Sequence, residues 1–126
     1  MLENFRRFSV AGAGGRVWDV EFRWHQNAIS IRHADAIDCK YYLTCGDERR
    51  ELVVGLPHPA LLEAAGHAQR KVTDAWVVQL GALHVERLIS SGNLPSGPIA
   101  VVSAAEIAEY EQRLQEERAR AASARR

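Results

Sequence analysis

The densest cluster of groups able to act on a ligand is His33, Asp35, Asp38 and Cys39, all within seven residues. A histidine beside two carboxylates is the raw material of a general acid/base pair. The carboxylate raises the basicity of the imidazole and fixes its tautomer, and the same oxygens and ring nitrogens can hold a divalent ion. His33, Asp35 and Asp38 are therefore the candidate ligand-binding residues. The competing expectation is structural: Asp35 and Asp38 turn the chain by accepting bonds from nearby amides, and His33, in step with Ile29 and Ile31, belongs to a core face. No third catalytic element accompanies them. The chain has no GxSxG elbow and no Walker lysine, so no catalytic residue is assigned.

Metal and cofactor chemistry fare no better. His25, His33, His58, His67 and His84 accompany only two cysteines. Structural zinc sites draw paired ligands from tight turns, whereas Cys39 and Cys45 stand six positions apart in a run that reads as one strand. HExxH does not occur. At about 3.3 Å per residue the two thiols lie ~20 Å apart along such a strand, too far for a disulfide, so we expect two free thiols and no metal. Gly12, Gly14 and Gly15 evoke a dinucleotide fingerprint, but Val17 stands where the third glycine belongs and a strand follows rather than a helix. The glycines read as a turn, and no cofactor is expected. His84, on a helix between Leu80 and Leu88, reads as a hydrogen-bonded histidine at the rim of an apolar arc.

The elements that position these groups change period halfway along the chain. Residues 16–25 alternate, with Trp18, Val20, Phe22 and Trp24 on one face and Asp19, Glu21, Arg23 and His25 on the other. Residues 5–10 and 28–33 read as flanking strands. Residues 39–45 and 51–54 form a hairpin about a charged turn at Gly46. Pro59 opens a short helix ending near Gly66. Thr73 or Asp74 caps a longer one running to about Ser91 and closed by Gly92. That helix is apolar on two sides: Val77, Val78, Val85 and Ile89 lie on one, and Trp76, Leu80 and Leu83 lie among polar residues on the other. After the breaker-rich loop 93–98, residues 99–102 read as a buried strand or a segment joining the sheet edge. Ser103 and Glu106 then match a capping box opening a helix with Ile107, Tyr110 and Leu114 on one stripe.

The expected fold is thus α+β: an antiparallel meander of about five strands packed by a long buried helix, with a short helix before it and a C-terminal helix after. Residues 1–115 are expected to form one α+β domain and residues 116–126 a frayed or disordered helical tail.

Composition narrows function by exclusion. The 126 residues carry 16 basic and 16 acidic side chains, eight of each in residues 1–60 and eight of each in the remainder. A chain built to hold nucleic acid would carry an excess of cations, and no apolar run reaches the ~18 residues a membrane span needs. The outward sheet residues Arg23 and Arg32 could bind an anion, but Asp19 and Glu21 stand between them, and the basic run after Arg118 follows four glutamates. Alanine accounts for 19 of the apolar residues and arginine outnumbers lysine 14 to 2, a bias of GC-rich, bacterial-type coding. The first residues hold an acid and two arginines where an export signal would be apolar, so the expected location is cytoplasmic. With no catalytic motif and a helix apolar on two sides, the leading expectation is a non-catalytic binding or protein-interaction module acting as a homodimer, with Trp76, Leu80 and Leu83 as the interface. The alternatives are a small-ligand-binding protein or enzyme using His33, Asp35 and Asp38, and a nucleic-acid-associated regulator.

Overall fold

The computed structural model describes Leu2, residues 4–28 and residues 35–124. Its elements run β1 (Arg7–Ala11), β2 (Val17–Ala28), β3 (Ala36–Cys45), β4 (Glu48–Pro57), α1 (His58–His67), α2 (Asp74–Ser90), β5 (Ile99–Val101) and α3 (Ala104–Ala124). The fold is α+β: a five-stranded, mostly antiparallel sheet with three helices. The strands lie in the order β1-β2-β3-β4-β5, and β5 alone runs parallel to its neighbour, β4.

The four-strand meander follows from turn chemistry. Gly12–Gly15 make the tight return from β1, with Gly14 and Gly15 at φ of 72° and 76°, a region closed to most side chains. Gly46, at φ 58°, turns β3 into β4. The expected strand at residues 28–33 falls mostly outside the described residues. β2 continues past Gln26 to Ala28 and pairs directly with β3 from Asp19↔Thr44 to Ala28↔Ala36, and among the described residues the fifth strand of the sheet is β5.

The register breaks once. Phe22 lies opposite Tyr41 and Trp24 opposite Lys40, so an extra residue enters β2 between them. A bulge of this kind flips every later side chain to the other face. Trp24 therefore leaves the apolar side it was expected to share with Trp18, Val20 and Phe22, and His25 takes its place, stacking on Phe22 and reaching Asp74 of α2 at 3.1 Å.

The core lies between one face of the sheet and the helices. Trp18, Val20, Cys39, Tyr41, Leu43, Leu52, Val54 and Leu56 meet Trp76, Val77, Leu80, Leu83, Val85 and Ile89 of α2. Both ends of α2 form as their residues dictate. Thr73 accepts from the Trp76 amide at 3.3 Å, and Gly92 follows the helix at φ 74°. Gly81 lets α2 approach β3, for a Cβ there would collide with the Tyr41 hydroxyl. At α3 the capping box closes reciprocally: the Glu106 amide donates to Ser103 Oγ at 3.1 Å and the Ser103 amide donates to Glu106 Oε1 at 3.0 Å. α3 stays helical to Ala124, with residues beyond Leu114 largely exposed.

Candidate functional site

The sequence-derived ligand cluster does not assemble within the described residues. His33 lies outside them. Asp35 is exposed ahead of β3, and its carbonyl accepts from the His58 amide at 2.9 Å. Asp38 is buried within β3, opposite Gln26 on one side and Gly55 on the other, about 10 Å further along an extended chain. Beside it, the thiol of Cys39 points into the core. Burial, and after it the neighbouring Asp38 charge, push that thiol up to about 12, which makes it an inert core group.

The expected interface residues also sit elsewhere than on a surface. Trp76, Leu80 and Leu83 are each 0% exposed, because the side of α2 that carries them is covered by this chain's own elements. The Trp76 indole N–H donates to Glu111 Oε1 of α3 at 2.7 Å, and the Arg70 guanidinium lies over the Trp76 ring. The second apolar side of α2 is thus explained within one chain, and any surface for a partner has to be sought on another face.

Two buried polar clusters join α3 to α2, and neither has the form of a catalytic site. Glu111, buried, accepts from Trp76, from Arg70 at 3.1 Å and from Arg118 at 3.2 Å. Its position was legible in principle: Ile107, Tyr110, Glu111 and Leu114 follow an i, i+3, i+4, i+7 stripe, so the glutamate occupies a core position and needs partners there. A cleft of about 260 Å³ between α1 and α3 reaches Glu111, but the carboxylate is already held by three donors. In the second cluster His84 Nδ1 lies 2.7 Å from the Tyr110 hydroxyl and 3.8 Å from Glu106 Oε2. Burial holds the imidazole below its usual range, with Glu106 opposing and Arg87 adding to the shift. Among the described residues, no group of three or more His, Cys, Asp or Glu side chains is placed to hold a metal ion.

The opposite face of the sheet has no helix over it among the described residues, and its side chains form ordered rows. One row across the strands is Arg7, Glu21, Tyr42, Glu51; the next is Trp24, Lys40, Val53, Ile99. Tyr42 is the centre. Arg23, Lys40 and Arg49 approach its ring to 5.0, 5.7 and 5.0 Å, and Lys40 also lies 5.7 Å from the Trp24 ring. Glu21 pairs with Arg7 and Arg23, and Glu51 pairs with Lys40 at 3.3 Å. Arg32, the other half of the expected anion site, lies outside the described residues. The face also carries exposed apolar side chains in two places: Trp24 of β2 is 39% exposed, and on β5, beyond Lys40 and Val53, Ile99 is 46% and Val101 59% exposed.

Comparison with protein-family models, curated proteins and solved structures returns no match to this chain. Its function has therefore to be argued from this geometry. The uncovered face offers large flat rings, fixed cations and an apolar margin. Among the described residues it presents no nucleophile held by a base.

Proposed function

We propose that the chain is a non-catalytic protein-interaction module, working as a homo-oligomer, whose binding surface is the uncovered sheet face around Tyr42 and Trp24. The observation that carries this reading is the share of exposed apolar side chains that one face holds. Of the five large hydrophobic side chains that are exposed among the described residues, Trp24 of β2 and Ile99 and Val101 of β5 lie on this face. Aromatic rings with arginine beside them are the residue types that anchor protein interfaces. The rings are held in place by cation contacts worth roughly 0.5–1 kcal/mol each at exposed sites, so little side-chain freedom is lost when a partner docks.

The same chemistry favours protein over nucleic acid. A base stacks on a free ring face, whereas Tyr42 already has three cations about it. The carboxylates of Asp19, Glu21 and Glu51 stand where phosphates would have to pass.

A photoreactive phenylalanine placed at Val53, in the middle of the face, tests the reading in the full chain expressed in cells. Leu62, 64% exposed on α1, serves as the apolar control position. Protein adducts are expected at Val53 well above those at Leu62, and they should fall when Trp24 and Tyr42 are changed to Ala. Equal labelling at the two positions, or adducts to nucleic acid in place of protein, would refute it.

A further inference from the structure

We propose that the free edge of β5 pairs with the β5 edge of a second copy of this chain, antiparallel about a two-fold axis at Ala100, to give one continuous ten-stranded sheet. This rests on the homo-oligomeric part of the function proposed above and adds to it the surface and register of self-association.

Among the described residues β5 is the last strand of the sheet and pairs only with β4. The bonds that flank it run from the Val53 amide to the Pro98 carbonyl at 2.7 Å and from the Val102 amide to the Gly55 carbonyl at 2.9 Å. Backbone groups of alternate residues in a strand point to opposite edges, so residues 98, 100 and 102 turn toward β4. The N–H and C=O of Ile99 and Val101 turn outward, away from the sheet. Pro98 guards nothing here, since its missing donor would have faced β4 and not the open edge.

Natural sheets protect an open edge by keeping its strand short or with charge, proline or a bulge; β5 is short, at three residues, but has no charge or bulge of its own. The β1 edge begins with Arg6 and Arg7, whereas residues 93–105 around β5 contain no charged side chain. Among the described residues the edge is therefore open and β-branched, and the cation that reaches the loop before it, Arg50, is held by the Pro95 and Gly97 carbonyls at 2.6 and 3.3 Å.

The occupant follows from register. Ile99-Ala100-Val101 reads the same in both directions in its pattern of β-branched, small, β-branched. With the axis at Ala100, Ile99 of one copy lies opposite Val101 of the other, and vice versa. Each is a narrow antiparallel pair that exchanges both N–H···O=C bonds. All four outward donors and acceptors on each copy are then used and none is left over. The exposed side chains of Ile99 and Val101 meet across the junction, an apolar β-branched pair of the kind that stabilises neighbouring strands. On each side the row continues through Val53 and Lys40 to Trp24, so the uncovered face of one copy extends into that of the other.

The test is sedimentation or light scattering of the full chain up to high micromolar concentration, together with residue-resolved amide exchange. The wild-type mass should climb from the 14.0 kDa of one chain toward twice that value. Protection of the Ile99 and Val101 amides should rise in parallel, because in a monomer both face water. Val101→Pro deletes one outward donor and no bond to β4, so it should stay monomeric with the Val102 amide still protected. Val101→Lys, at a site already exposed, supplies edge charge without a backbone change and should also stay monomeric. A wild-type chain that remains a monomer throughout overturns the proposal. So does a dimer that persists in both variants, or protection at Ile99 and Val101 that ignores concentration. A monomer that still crosslinks to another protein through Val53 would sink the edge pairing and leave the binding face standing, while an edge-paired dimer without Val53 adducts would do the reverse.

Discussion

Gly81 sets how closely α2 lies on the sheet, and replacing it with alanine gives a two-signed prediction. In an exposed helix Gly→Ala gains about 1 kcal/mol from propensity alone. Here the new Cβ would collide with the Tyr41 hydroxyl and lie 3.4 Å from Tyr41 Cζ and 3.6 Å from Cys39 Cβ. Tyr41 has 0% exposure and no room to swing aside, and overpacking of a filled core costs about 1–3 kcal/mol. Gly81→Ala should therefore be neutral to destabilising, by roughly 0–2 kcal/mol once propensity is set against overpacking. Tyr41→Phe loses a long bond, 3.4 Å from the hydroxyl to the Val78 carbonyl, and should cost about 1 kcal/mol. In the double variant the colliding oxygen is gone, so the helix gain is expressed and the two changes should couple favourably by about 1–3 kcal/mol. Urea unfolding of the four proteins followed by circular dichroism measures the cycle. Additivity within ~0.5 kcal/mol would refute the argument, since it would mean that residue 81 does not press on Tyr41.

Three further outcomes follow from the buried polar groups. Glu111→Ala strands the Trp76 indole N–H and the Arg70 guanidinium and should cost about 3–5 kcal/mol. Glu111→Gln keeps an acceptor for Trp76 and should cost less, about 1–3 kcal/mol; equal losses in denaturation would deny that hydrogen bond its role. His84 is held below its usual range by burial, facing Glu106, Arg87 and Tyr110, so the unfolded chain takes up its proton first. The stability this contributes is present above about pH 6.5 and declines as the pH falls from there through the lowered folded value. His84→Gln should flatten that acid-side slope, and an unchanged slope in pH-dependent melts would refute it. Of the two free thiols, Cys39 is buried and pushed up to about 12 while Cys45 is half-buried, so a thiol reagent should label one site per native chain quickly and the second only on unfolding.

The parts of the fold that were legible in the sequence are those fixed by local chemistry. Thr73, Gly92 and the Ser103–Glu106 box mark helix ends because a cap acts over three or four residues, and each forms in the structure. Gly46 and the alternation from Trp18 to Phe22 likewise report their own surroundings. What escaped was decided by distant partners. The apolar side of α2 bearing Trp76, Leu80 and Leu83 looked like surplus, because α3, the helix that supplies Glu111 to cover it, begins some thirty residues later in the chain. Residues 99–102 had two readings, and the return path through α1 and α2 selected an exposed parallel edge over a buried strand.

One inserted residue in β2 decides most of what the molecule offers a partner. Without the bulge between Phe22 and Trp24, strict alternation would bury Trp24 and turn His25 outward, and Tyr42 would be the one aromatic ring among the described residues of β2, β3 and β4 on that face. With it, His25 moves to the helix side, where Asp74 is within reach, and a second ring joins Tyr42 beside Lys40. The exchange costs the core one indole, and the core is filled by Trp18 and Trp76, both buried. A bulge that leaves Trp24 39% exposed gives up part of the ~1.5–3 kcal/mol that full burial of a large apolar side chain supplies, a cost that packing has no reason to impose. Contact with a partner supplies a reason, and it predicts that Trp24→Ser will leave the melting temperature of the isolated chain nearly unchanged while abolishing the photo-adducts at Val53. A fall in melting temperature of the size expected for a core tryptophan would place Trp24 back among the residues that serve only the fold.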